Sequence, residues 1–183
     1  QGIVTTNYLA AVQKRLDERY ADQWHDDLAA AYLAASLKLL KQDKDADRLI
    51  AGPQKVLVRS SIENAYRFAR YYDPLVRDAT TLYLIAKHFP ERSRALPPEA
   101  LRNILRPLQK RWYNTLSSSL TILALDAYGT QAASEGKLTL AELHKDDSIT
   151  AIGTLTGSLM RGVFSHDATG LRVENAVELP SWY

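Results

Sequence analysis

The sequence predicts a mainly α fold of paired helical hairpins, followed by a small antiparallel β segment. Three stretches carry small residues with large apolar ones over most of a helix circumference: Asp27–Lys41, Asp78–Phe89 and Asn114–Gly129. Each adjoins a more charged, amphipathic segment. Apolar inner helices alternating with charged outer ones are the pattern of stacked hairpins, a solenoid or a toroid. The spacing between copies is uneven, so this is irregular pairing and not a clean repeat. After Gly129 the pattern changes to short, glycine-punctuated segments, some alternating at period two.

Along the chain, Thr5 or Thr6 is placed to cap a helix running to about Tyr20. Leu9, Val12 and Leu16 share one face of it, and Lys14, Asp17 and Glu18 lie on the solvated face. Asp22 is expected to cap the next helix, which holds the inner stretch to Lys41. Gln42–Asp47 reads as a charged linker, and Arg48–Ile50 as a short helical turn ended by Gly52-Pro53. Lys55–Arg59 is β-rich, but inside a helical domain it reads as an extended connector. Ser61 is placed to cap a helix burying Ala65, Phe68 and Ala69. Asp73-Pro74 supplies a cap and a first helical residue for the second inner helix, which ends at Phe89-Pro90. Glu99–Tyr113 follows, with Leu101, Ile104, Leu105 and Leu108 buried and Pro107 expected to kink it or mark its first turn.

Asn114–Gly129 is the most uniformly apolar of the three. Leu116, Leu120, Leu123, Ala124 and Ala127 fall on one face, and Ile122, Leu125 and Tyr128 occupy the other. A helix apolar nearly all round is a buried one. Ser117, Ser118, Ser119 and Thr121 are small enough for close approach. Asn114 suits the N-cap, and Gly129 the left-handed residue after the end. The expectation is an inner helix.

Beyond it, Leu138–Leu140, Ile149–Ala151, Leu159–Phe164 and Leu171–Glu174 predict three to five short strands, cut off at Trp182-Tyr183. Charge supports a boundary near Ser134–Gly136, hence a helical domain over 1–134 and a β-rich segment over 135–183. The first part holds 19 Lys and Arg against 14 Asp and Glu, and the second 4 against 7. Neither balance is large enough to point to a nucleic-acid or membrane surface. No apolar run reaches the ~18 residues that span a bilayer. The start, Gln-Gly-Ile-Val-Thr-Thr, has no initiator Met and no signal-peptide pattern, which predicts an excised fragment with any targeting signal upstream. With no cysteine, disulfides, thiolate metal sites and cysteine nucleophiles are excluded within the chain.

Histidine has acidic company three times: His25-Asp26-Asp27, His144-Lys145-Asp146-Asp147 and Ser165-His166-Asp167. None has the i, i+4 spacing of two metal-ligating histidines, and Asp26 and Asp27 suit the first turn of a helix. His88 closes an inner helix, where an imidazole favours the terminal carbonyls. Ser117-Ser118-Ser119 lacks the strand-and-elbow setting of a nucleophile. Arg102, Arg106 and Lys110 form a stripe, with Arg111 and Trp112 beside it, that suits a solvated helix face better than a phosphate grip. The pairs Tyr71-Tyr72, Trp112-Tyr113 and Trp182-Tyr183 suit helix staples or domain seals. No catalytic, cofactor-binding or metal-ligating residue is assigned, and the residues alone predict no enzyme.

The succession Asp27-Leu-Ala-Ala-Ala-Tyr-Leu-Ala-Ala-Ser-Leu, Leu82-Tyr-Leu-Ile-Ala-Lys-His-Phe and Leu116-Ser-Ser-Ser-Leu-Thr-Ile-Leu-Ala-Leu-Asp-Ala-Tyr-Gly resembles the latter part of the thioester-type helical domain of bacterial α2-macroglobulins. The tail, Leu171-Arg-Val-Glu-Asn-Ala to Leu179-Pro-Ser-Trp-Tyr183, is similar to the entry into the β domain that follows it in that family. The resemblance covers most of the chain and rests on helical texture more than on invariant motifs. It implies an α/α toroid. It also implies a periplasmic parent, with possible inner-membrane anchoring, that traps proteases after bait cleavage and protects the cell envelope. The family's Cys-x-Glu-Gln thioester is absent, since the chain has neither cysteine nor a Glu-Gln dipeptide. No catalytic residue therefore carries over.

The implied role is a non-catalytic scaffold. Its partners would be target proteases through the parent, other domains of the same chain and envelope proteins, with no nucleic acid. A domain cut through its core is also expected to self-associate. Two other readings compete: a helical-repeat peptide-binding adaptor, which needs an exposed apolar groove, and an α/α-toroid enzyme, which needs acidic residues converging at one rim.

Overall fold

The computed structural model describes residues 6–59, 74–132, 138–155 and 165–175. The fold is mainly α with a small antiparallel sheet. It divides into two compact units, Gln1–Leu125 and Asp126–Tyr183. The helices are α1 (Thr6–Tyr20), α2 (Leu28–Leu39), α3 (Asp43–Arg59), α4 (Pro74–His88), α5 (Pro90–Arg94), α6 (Pro98–Gln109) and α7 (Thr115–Ala132), with a 3₁₀ turn at Ala21–Gln23. The predicted helix after Ser61, the pairs Tyr71-Tyr72 and Trp182-Tyr183, and the predicted strand Leu159–Phe164 lie outside the described residues.

The core of the first unit forms where α2, α3, α4 and α6 pack. Two of the three expected inner helices are buried. In α2, Ala30, Ala31, Leu33, Ala34, Ala35 and Leu37 are inside; in α4, so are Leu75, Ala79, Leu82, Leu84, Ile85 and Ala86. Alanine on several sides of α2 lets neighbouring backbones approach closely, and the leucines fill what remains. Asp78 of α4 is also buried and is paired with the Arg77 guanidinium at 2.8 Å. A buried carboxylate with no cation would carry a large desolvation cost.

Several boundaries differ from expectation. Asp22 sits in the 3₁₀ turn, and it is Asp27 that caps α2, its carboxylate accepting from the Leu28 N–H at 2.7 Å. The charged linker, short turn and connector expected over Gln42–Arg59 form one continuous helix, α3, running through Gly52-Pro53. An internal proline costs about 3 kcal/mol. Here the buried Leu49, Ile50, Pro53 and Leu57 offset it. Gly52 serves packing: a Cβ there would run into the His25 carbonyl oxygen. Arg92 of α5 holds α3 from outside, reaching the Asp47 carbonyl and the Gln54 side chain at 2.8 Å each.

The helix expected to reach Tyr113 stops at Gln109. Arg111 is left-handed (φ 58°), the Trp112 N–H donates to the Pro107 carbonyl at 2.8 Å, and the Arg111 N–H donates to the Leu108 carbonyl at 3.0 Å. That pair of bonds is a Schellman ending. Pro107 thus lies in the last turn of α6, not in its first. Lys41 (φ 61°) ends α2 in the same way, with the Gln42 N–H reaching the Leu37 carbonyl.

In the second unit, β1 (Leu138–His144), β2 (Ile149–Leu155) and β3 (Ala168–Asn175) form an antiparallel sheet in the order β2-β1-β3. The register pairs Leu140 with Gly153 on one side and with Val173 on the other, and each pairing is interrupted by one irregularity. His144-Lys145-Asp146-Asp147 makes the turn from β1 to β2, with Asp147 left-handed.

Candidate interaction surface

The third expected inner helix, α7, begins with a reciprocal cap. The Asn114 side chain accepts from the Ser117 N–H, and the Ser117 hydroxyl accepts from the Asn114 N–H, both at 2.9 Å. This is the geometry of a capping box, with serine in the place usually held by glutamate. The cap fixes which side of α7 turns inward: Ser117, Thr121 and Ala124 are buried. The Thr121 hydroxyl donates to the Ser117 carbonyl at 2.7 Å, so this small-residue face satisfies its own polar groups. Gly129 lies inside the helix, which runs on to Ala132 instead of ending there.

The consequence reverses the sequence expectation. Three of the large apolar residues face outward, with Leu116 61%, Ile122 55% and Leu123 53% exposed, while Leu120, Leu125 and Tyr128 are partly covered. Leu116 and Leu123 are seven residues apart, two turns along one side, about 10 Å. Ser118 and Ser119 donate to the Thr115 carbonyl. Their hydroxyls are thus turned back to the helix backbone, and the exposed Asp126 follows one turn beyond Ile122 and Leu123. Covering a side chain of this size completely contributes about 1.5–3 kcal/mol, and here roughly half of that is still open to a partner. The corner before α7 is also exposed: Trp112 at 42% and Tyr113 at 51%, with the Lys110 ammonium 4.6 Å from the Trp112 ring centre. The Trp112-Tyr113 pair therefore does not act as a buried staple.

Among the described residues, His25 and His144 lie beside carboxylates. His25 lies 3.6 Å from the Asp17 carboxylate and against Trp24, whose indole N–H donates to the same carboxylate at 3.0 Å. Trp24, only 3% exposed, is an anchor that sequence reasoning missed; its position just before a His-Asp-Asp run drew attention to the wrong neighbour. His88 is half-buried, and burial, aided by Lys87, pushes its imidazole below the ordinary value. His144 has Nε2 at 3.1 Å from the Thr150 hydroxyl and Nδ1 at 3.5 Å from an Asp167 carboxylate oxygen. Hydroxyl, imidazole and carboxylate occur in triad order, yet Nδ1 makes no hydrogen bond among the described residues, so Asp167 does not orient the ring. Ser165 donates both its N–H and its hydroxyl to Glu142, not to a histidine. The Ser165 bonds first, and then the nearby His144 imidazole electrostatically, hold the buried Glu142 carboxyl below its usual range. Among the described residues, no group of three or more His, Asp or Glu is placed to hold a metal.

What the first unit offers is a surface, and comparison with known proteins gives that surface a setting. The chain is 41% identical over its whole length to an α2-macroglobulin homolog of Yersinia pestis. It is 39% identical over 72% of its length to an α2-macroglobulin of Pasteurella multocida, and 35% over 82% to one of Rickettsia conorii. The chain belongs to the bacterial α2-macroglobulin family. It spans only 9%, 7% and 8% of the length of these relatives, so it corresponds to a small part of such a macroglobulin. No family model matches it, and no solved structure matches it significantly.

Proposed function

We propose that this α2-macroglobulin segment is a non-catalytic scaffold and interface piece of a protease-trapping inhibitor. The observation behind this is α7, a well-capped helix that turns Leu116, Ile122 and Leu123 outward while Ser117, Thr121 and Ala124 are packed. In a polypeptide of the relatives' length, most of the chain lies beyond this segment, and other parts of it are the natural cover for Leu116, Ile122 and Leu123. The segment then belongs to a thioester-type helical domain of the α/α-toroid kind. It has neither the cysteine nor the Glu-Gln pair needed for a thioester of its own. The parent acts in the periplasm, anchored to the inner membrane. Its targets are proteases, which it encloses after they cleave it, protecting the cell envelope.

The test uses the full-length parent mixed with a broad-specificity protease. Cleavage of a large protein substrate should fall while cleavage of a small peptide persists, because enclosure excludes substrates by size. Equal effects on both substrates, or none on either, would remove trapping and leave a peptide-binding helical scaffold as the better account.

A further inference from the structure

The net charge of +2 conceals a region of one sign. Between Ala100 and Leu125 no residue is acidic, while Arg102, Arg106, Lys110 and Arg111 are all exposed. Arg102 is tied to Glu99 at 3.4 Å, at the near end of α6. The buried Asn103 of α6 donates to the carbonyls of Leu57 and Val58, at 3.0 Å each. Those bonds satisfy carbonyls left open at the end of α3. They also set the last turn of α3, with exposed Lys55 and Arg59, beside α6. At the other end of α6, the Schellman turn at Arg111 presents Trp112 and Tyr113 half-exposed, next to Lys110.

We propose that this corner, formed by the end of α3, the cationic side of α6 and the Trp112-Tyr113 turn, docks on the surface of an anionic lipid bilayer. Clusters of four to eight Lys and Arg bind anionic headgroups, each cation adding to the attraction. Tryptophan and tyrosine favour the headgroup layer, where an apolar ring and a polar edge are both accommodated. A single-stranded nucleic acid would use the cations but needs an open ring face for stacking. One face of Trp112 already carries the Lys110 ammonium, an arrangement that the headgroup layer takes in together. Among the described residues no helix is long and apolar enough to cross a membrane, and the contact proposed is peripheral. It does not depend on protease trapping.

The experiment is co-sedimentation of the 183-residue chain with vesicles, read beside circular dichroism of every variant. Vesicles of phosphatidylglycerol and phosphatidylethanolamine should carry the chain down, and neutral phosphatidylcholine vesicles should not. High salt should release it. R106E/K110E should weaken binding by roughly thirtyfold or more. W112S should weaken it less, and K14E/R15E, on exposed α1, should leave it unchanged. Absence of binding would overturn the proposal, as would equal binding to neutral vesicles, indifference to both R106E/K110E and W112S, or stronger binding to a single-stranded oligonucleotide. Because the W112S arm alters no charge, it still decides the matter if the double reversal loses helicity.

Discussion

Helices α2 and α4 on one side and α7 on the other look alike in sequence and end differently. All three combine small residues with large apolar ones around most of the circumference. In α2 and α4 most leucines and alanines are buried together because α3 and α6 pack around the pair, with Leu39 at the end of α2 left exposed. In α7 the small face is buried, and Leu116, Ile122 and Leu123 are left to solvent. Apolar character therefore shows that a helix has surface to bury. It does not say whether the cover is supplied by the same stretch of chain.

The largest effect that would sharpen this contrast comes from truncating leucines in each class. Leu82→Ala in α4 should destabilise the chain by about 2–5 kcal/mol, since Leu82 is fully buried and would leave a cavity. Leu123→Ala in α7 should cost less than about 1 kcal/mol in the same chain. Urea unfolding of both variants checks the pair. Equal losses would mean that α7 is packed as tightly as α4.

Gly52→Ala comes next. In an exposed helix this change stabilises by up to ~1 kcal/mol. Here it should destabilise by about 1–3 kcal/mol, because the new methyl meets the His25 backbone and α3 must shift. A rise in melting temperature would show that Gly52 is an ordinary helix residue and that the close approach is not required.

A smaller effect concerns the β unit and pH. The folded-state value of Glu142 is depressed, so its contribution is fully present above the usual carboxylate range. That contribution is lost as pH falls through the depressed value. Thermal melting in mild acid should therefore depend less steeply on pH in Glu142→Gln than in the parent chain. Identical pH profiles would show that the Ser165 bonds do not couple to folding.

Much of the helical layout was legible. The periodicity of α2 and α4 and the capping chemistry of Asn114 are local signals, and local signals survive into the fold. Gly52-Pro53 misled because both residues usually stop helices. Only the tertiary approach of His25 explains the glycine, and only burial of Leu49, Ile50 and Leu57 explains tolerance of the proline. The end of α6 was misplaced because a left-handed arginine ends it, and arginine gives no warning of that conformation. Glu142 lies beyond the predicted strand Leu138–Leu140, since β1 runs on to His144. Its partner Ser165 is 23 residues away and leaves no local signal. The cations of α6 were legible as a stripe, but the modest bulk charge favoured reading it as a solvated face, and the approach of the end of α3 through Asn103 is tertiary and leaves no trace in the sequence.

The most direct test of the account is hydroxyl-radical footprinting of Leu116, Ile122 and Leu123, in the isolated chain and in the full-length macroglobulin. All three should label strongly in the chain and be clearly protected in the whole protein, with Leu82 and Ile85 protected in both. Equal labelling of the α7 residues in the two forms would contradict it, because the exposed face of α7 would then be no interface.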